Sequence, residues 1–310
     1  MRVGFSSYSL HQYLGTGRMT LPEVFDWAKE AGADHIEIAA GFTSDNPLCD
    51  LSDLPNNRPL VDAIKAAQQK TGLPIAQIAI PATFWTKPET ADAQAPGAGS
   101  QASSAAGIEA ELERVKAHID LCAELGIELL RHDVSHGNHP GDDVPLFEQA
   151  LPVIAEHSKA IAQYAATKGV KTSIENHGFF VQGSERVRRV IHAVDEPNFG
   201  TTLDIGNFLC LDENPVVATK NNIAYANIVH FKDFYIRQTN PGYGFFGTRG
   251  GQFLRGAIVG QGDIDMPAVA KVVKESGYDG FITIEFEGVE DALPACKAAL
   301  ANTRRLLDEA

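Results

Sequence analysis

Four strand-like segments in the second half of the chain finish on side chains that can bind a cation or move a proton. The segment "KTSIENHGFF" (171–180) alternates polar and apolar residues, then reaches Glu175, Asn176 and His177 before a glycine. "FGTTLDIGN" (199–207) ends at Asp204 and Asn207, "NIVHFKD" (227–233) at His230, Lys232 and Asp233, and "FITIEFEG" (281–288) at Glu285 and Glu287. Glutamate, aspartate, histidine and glutamate on consecutive strands make an oxygen-rich donor set without thiolate. Such a set suits Mn²⁺ or Mg²⁺ first, with Co²⁺ or Zn²⁺ as alternatives. Without a cation the carboxylates would repel one another and raise each other's pKa, and a dication removes that conflict. Taken singly, Asp204 reads as a turn residue, His230 as a core histidine and Glu285 as a solvated strand end. Their recurrence at four consecutive strand ends favours one shared site.

Further polar residues stand close to these in register. His177 lies two residues after Glu175, on the same side of a continuing strand, and is a candidate general acid or base. Lys232 bears the same relation to His230, and its ammonium can stabilise a developing oxyanion. Candidate substrate contacts are Glu37 at the end of strand two, Arg131, His132 and Asp133 at the end of strand four, Asn207, Lys232 and Arg237.

What positions these residues is a phrase repeated four times, in which a helical pattern stops at a glycine and a strand begins within about two residues. The copies are "WAKEAGADHIEIAA" (27–40), "LCAELGIELLRHDV" (121–134), "AATKGVKTSIENHG" (165–178) and "VVKESGYDGFITIEFEG" (272–288). Gly32, Gly126, Gly169 and Gly277 occupy the position where a helix ends in the left-handed conformation. Hydrophobic period gives strands near 3–7, 34–39, 74–80, 127–133, 170–176, 199–204, 226–231 and 279–285. Helical patterns follow near 20–31, 57–71, 107–125, 145–168, 183–194, 214–223, 265–276 and 289–308. Eight alternating units predict a closed (β/α)₈ TIM barrel as a single domain over 1–310. An open dinucleotide-binding sheet lacks support, because no G-x-G-x-x-G follows the first strand. Long βα connections are expected at 87–107, rich in small residues, and at 232–263, which mixes arginines, glycines and aromatics.

The 310 residues carry a formal charge of −14, from 40 acidic against 26 basic side chains. That surface repels nucleic acid and anionic lipid. Cys49, Cys122, Cys210 and Cys296 are far apart and form neither a zinc knuckle nor a disulfide framework, so a reducing cytoplasm is the expected compartment. The sequence shows no run long enough for a membrane helix and no signal-like N-terminus. A homo-oligomer or a complex with a partner subunit is compatible with this composition.

The phrases "AKEAGADHIEI", "SIENHG", "LDIGN", "VHFKD" and "VGQGDIDMPAVAKVVKESGYDGFITIEFEG" resemble the xylose isomerase-like TIM barrel superfamily, in its sugar phosphate isomerase/epimerase branch. The resemblance runs along nearly the whole chain. It implies Glu175, Asp204, His230 and Glu285 as ligands of one divalent metal, with Glu285 preferred over Glu287. It further implies Glu175 and Glu285 as the proton-transfer pair of an isomerase or epimerase that acts on a keto sugar, inosose or related polyol through a cis-enediolate. A metal-dependent lyase or dehydratase acting on an oxidised 3-keto sugar or C-glycoside shares the same scaffold. A non-catalytic sugar-binding barrel or partner subunit is the alternative from another class. The similar keto-sugar epimerases have a histidine three residues after the strand-six aspartate, where this chain has Asn207.

Overall fold

The computed structural model describes residues 1–86, 105–135 and 144–310. Most of the expected 87–107 connection lies outside the described residues. In chain order the strands are β1 (Arg2–Ser6), β2 (Ile36–Ala39), β3 (Ile75–Ile80), β4 (Leu129–His132), β5 (Lys171–Glu175), β6 (Phe199–Asp204), β7 (Ala226–Phe231), β8 (Asp233–Arg237), β9 (Phe246–Gly247), β10 (Phe253–Ala257) and β11 (Phe281–Ile284). Eight of them close a parallel barrel in the order β1-β11-β7-β6-β5-β4-β3-β2. These are the eight strands expected from the sequence, and the fold is a TIM barrel.

The helices that cover the barrel follow from local signals. Leu21–Ala31 begins at Thr20, whose hydroxyl accepts from the Glu23 amide while the Glu23 carboxylate accepts from the Thr20 amide. Such reciprocal capping stabilises a helix start by about 1 kcal/mol. The helix buries Leu21, Val24, Phe25, Trp27 and Ala28 against the barrel, with Trp27 tilted on Phe5 at 5.1 Å. It stops at Gly32, with φ 86°; Gly126, Gly169 and Gly277 have φ of 69°, 72° and 78°. All four glycines therefore hold the left-handed turns that the repeated phrase requires. Among the described residues no helix is long and apolar enough to cross a membrane. All four cysteines are buried and free.

The 232–263 connection holds more order than its composition suggests. It folds as a three-stranded antiparallel sheet in the order β8-β10-β9. Asp233 fixes its two ends together: its Oδ2 accepts from the Gly260 and Gly262 amides, both at 2.9 Å, and its Oδ1 from Phe234 at 2.9 Å and Ile264 at 3.4 Å. Gly262 has no room for a Cβ, which would fall 2.2 Å from Asp233 Oδ1. The glycines and arginines spread through this stretch hide the period that marked the barrel strands.

Candidate metal centre at the barrel mouth

Strand register brings the four candidate ligands together. Asp204 on β6 is directly paired with His230 on β7, and the Glu285 amide donates to the Phe231 carbonyl at 3.1 Å as β11 ends beside β7. Glu175 closes the group from β5, paired with Thr202. One donor atom from each of Glu175, Asp204, His230 and Glu285 lies within 4.8 Å of every other. In strand order the two glutamates flank the aspartate and the histidine.

Asp204 and His230 are each held by contacts that leave one donor atom facing the centre. Asp204 Oδ1 accepts from the Gly206 and Asn207 amides at 2.8 and 3.0 Å, while Asn176 bridges to the Asp204 backbone by two bonds of 2.7 and 2.9 Å. His230 Nε2 lies 2.7 Å from Glu37 Oε2. Facing a carboxylate, Nε2 carries a proton, so Nδ1 is the nitrogen left for a cation to meet. His230 Nδ1 and Asp204 Oδ2 are 3.9 Å apart, fully buried, and neither accepts a hydrogen bond. His230 Nδ1 has no hydrogen-bond partner, and Asp204 Oδ2 has only the Lys232 ammonium, 3.1 Å away, to offset its burial. A divalent cation between them satisfies both, so the residues present fit a metal.

The surroundings are strongly charged. Lys232, 3% exposed, brings its ammonium 2.5 Å from Glu285 Oε2, 3.1 Å from Asp204 Oδ2 and 3.3 Å from Glu287 Oε1, and donates to Asn207 Oδ1 at 3.1 Å. Arg131 spans Glu175 Oε2 at 3.0 Å and Asp133 Oδ1 at 2.6 Å. Burial pushes the Asp204 carboxyl up to about 7 against the pull of Lys232. For Glu285 burial also acts upward, yet Lys232 and His230 outweigh it and hold the group at about 2. Burial lowers the His230 pKa, but Glu37 more than reverses this and raises it to about 10. A cavity of about 430 Å³ opens above, lined among others by Tyr8, Glu37, Glu175, His230, Glu285 and Glu287.

The positions of the other candidates follow from strand alternation. Glu287 stands beyond the four-residue cluster, so the geometry favours Glu285 as the ligand. Glu37 lines the cavity, but its carboxylate also accepts from Gln77 Nε2 at 2.7 Å and serves as the partner of His230. Asn207 joins the site by donating to Glu175 Oε1 at 2.8 Å. His177 sits at the lip, 3.4 Å from Asp133, with its side chain 39% exposed.

Two expected substrate contacts are not at the site. His132 points the other way from Arg131 on β4 and is enclosed by Phe84 and Phe199, with its Nδ1 2.9 Å from the Asp133 carbonyl. Arg237 lies at the far end of β8, half exposed, and pairs with Asp263 at 3.1 Å. The sequence reading missed Tyr8, Gln77 and Gln182. Gln77 was visible as the polar residue inside the apolar "IAQIAI" of β3, and Tyr8 as part of the polar run after β1.

Comparison with known proteins agrees with this architecture. An inosose dehydratase of Clostridium botulinum is 30% identical over 146 residues, which are 45% of this chain and 48% of that protein. The chain thus matches about half the length of this curated relative. The solved structure of the IOLI protein with a bound zinc atom superposes with a TM-score of 0.71 at 19% identity, covering 100% of this chain and 99% of that one. The 3-keto-D-glucoside 4-epimerase of E. coli gives 0.68 at 18% identity, over 98% and 99% of the two chains. At those identities the likeness is one of fold. The profile of the xylose isomerase-like TIM barrel family matches residues 25–307. With that match spanning all but the ends of the chain, the protein belongs to the xylose isomerase-like TIM barrel family.

Proposed function

We propose that the protein is a divalent-metal-dependent isomerase or epimerase that moves a proton on the carbon next to the carbonyl of a keto sugar, inosose or related polyol. The observation that carries this reading is the pair of glutamates on either flank of the cluster, each held by its own cation, Glu175 by Arg131 and Glu285 by Lys232. A dication held by Glu175, Asp204, His230 and Glu285 would polarise the substrate carbonyl and acidify the neighbouring C–H. Mn²⁺ or Mg²⁺ is the proposed ion, with Co²⁺ or Zn²⁺ as alternatives.

The chain's own groups supply the rest. Glu175 is held in place by Arg131 and by the Asn207 amide, and it is one member of the proton-transfer pair. Glu285, in contact with the Lys232 ammonium, is the other member of the pair, on the opposite flank. Lys232 also stands where it can stabilise charge developing on the carbonyl oxygen. Glu37 fixes the ring of His230, and Arg131 and Asn207 fix Glu175, so the cluster is organised before substrate arrives.

A dehydratase is the second reading, favoured by the inosose dehydratases among the curated relatives. The first proton removal is then the same, and loss of a β-hydroxyl replaces proton return. Proton NMR in D₂O, on a panel of keto sugars and inososes with Mn²⁺ added, tests both. Deuterium entering a carbon next to the carbonyl with the formula otherwise kept supports the isomerase or epimerase. Loss of one water selects the dehydratase. If no member of the panel exchanges, or if exchange proceeds unchanged in EDTA, the proposal is wrong.

A further inference from the structure

A second cavity of about 280 Å³ opens beside the metal cavity, and its lining differs in kind. The two share His177, Lys232 and Glu287, so they are contiguous lobes of one site. Beyond that shared edge the described lining turns to Phe179, Phe234, Phe246 and Cys210, with Gln182 and Asn207, whose side-chain amides are taken up by bonds within the protein. Phe234 is fully buried, and Phe246, on the outer sheet, stands over it edge-on at 5.8 Å while remaining 39% exposed. Burial raises the Cys210 thiol to about 11, so it presents a neutral, weakly polar surface.

Phe179 supplies a separate argument. Its φ of 64° lies in the left-handed region, where a bulky side chain is a genuine outlier. The backbone is held there by flanking contacts: its amide donates to Gln182 Oε1 at 2.6 Å and its carbonyl accepts from Arg249 at 3.0 Å. Gln182 in turn donates to the Asn207 carbonyl at 2.6 Å, tying this wall to the residue that positions Glu175. A strained aromatic maintained by contacts to the catalytic lobe is the pattern of a ligand wall.

We infer that the substrate is a glycoside, with its keto-sugar ring in the metal lobe and an aromatic aglycone in the phenylalanine-lined lobe. This rests on the keto-sugar reading and narrows it. Phenylalanine and buried thiol offer nothing to sugar hydroxyls, which would lose their water without replacement. They do match a planar apolar group. An apolar cavity of about 150 Å³ already admits benzene, so the volume here suffices for one ring or a fused pair.

Calorimetric titration of the Mn²⁺-loaded protein with phenyl β-D-glucopyranoside, methyl β-D-glucopyranoside, cellobiose and phenol tests this with ligands that cannot be turned over. The phenyl glucoside should bind at least about tenfold tighter than the methyl glucoside. Phe246→Ser, at a partly exposed position, should bring that ratio close to one with its melting temperature unchanged. Equal affinities for the two glucosides, or a ratio untouched by Phe246→Ser, overturn the aromatic lobe. Cellobiose binding as tightly as the phenyl glucoside overturns it in favour of a second sugar. Phenol binding that Phe246→Ser removes, with neither glucoside binding more tightly than phenol, places the failure in the keto-sugar reading and removes the glycoside with it.

Discussion

Two buried histidines in the barrel interior show how differently it is built around two rings of the same kind. His230 at the mouth is 1% exposed and His35, just before β2, is 0% exposed. His35 Nε2 faces the Thr283 hydroxyl at 2.8 Å, its ring crossing Gly4, where a Cβ would fall 2.7 Å from Nδ1. Burial there drives the pKa down to about 3. His230 faces the Glu37 carboxylate and goes to about 10. Equal burial thus gives a neutral ring in one place and, without metal, a cation in the other. The same division holds for the side chains beneath the mouth. Ser173, Thr202 and Gln77 link β5, β6 and β3 by neutral hydrogen bonds of 2.8 and 3.1 Å, and Gln77 passes the link up to Glu37. TIM barrel interiors are usually filled with branched apolar residues. Here a hydroxyl and amide layer supports the charged one, because only polar groups can orient carboxylates and imidazoles from below.

The mouth should be the more sensitive of the two layers. Asp204→Ala removes the ligand that faces His230 Nδ1; metal analysis should find no stoichiometric dication, and D₂O exchange should fall at least about a thousandfold. Retained metal would show that the cluster is held by charge alone. Arg131→Met leaves Glu175 and Asp133 buried without their shared cation and should cost about 3–5 kcal/mol in urea unfolding of the metal-free protein. A loss below about 1 kcal/mol would mean that water reaches the pair.

Smaller effects come from one step further down. Glu37→Gln keeps an acceptor for His230 but removes its charge, and metal affinity, measured by chelator competition, should drop about 10–100-fold. An unchanged affinity would detach Glu37 from the metal site. The neutral histidines give the mildest signal. His35 and His132 have native pKa values lowered to about 3 and about 4 by burial. Below about pH 6.5 the unfolded chain binds protons that the native protein refuses, so their stabilisation is complete above that pH and is lost on acidification. Urea stability between pH 6 and 5 should fall by up to about 1.4 kcal/mol for each histidine. His132→Leu should remove its share of that slope, and an unaltered slope would assign the acid sensitivity elsewhere.

Much of this was legible from residue order. Glycines at the helix ends and a two-residue period located all eight barrel strands, and polar strand ends located the four clustered residues. Alternation along "LLRHD" was equally available, and it turns His132 outward when Arg131 faces in. Arg237 was misread because the connection after β7 was taken as a loop, whereas its sheet carries that side chain away from the mouth. The choice between Glu285 and Glu287 is set by where β11 ends relative to Phe231, a register that the sequence does not display. Gln77 lies within β3 and Tyr8 in the short turn after β1, and neither strand ends in a cluster of ionisable groups, so their part in the site needs a third dimension.

The Asp233 clamp has a consequence for how such a barrel can diversify. By drawing the Gly260–Ile264 stretch onto the first residue after Lys232, it closes the outer sheet at its base. The segment between these points is an exchangeable cassette: its length and side chains can change while the barrel keeps its registration and Lys232 its place. The lining of the cavities can therefore change by replacing this one stretch, with the four clustered residues left untouched.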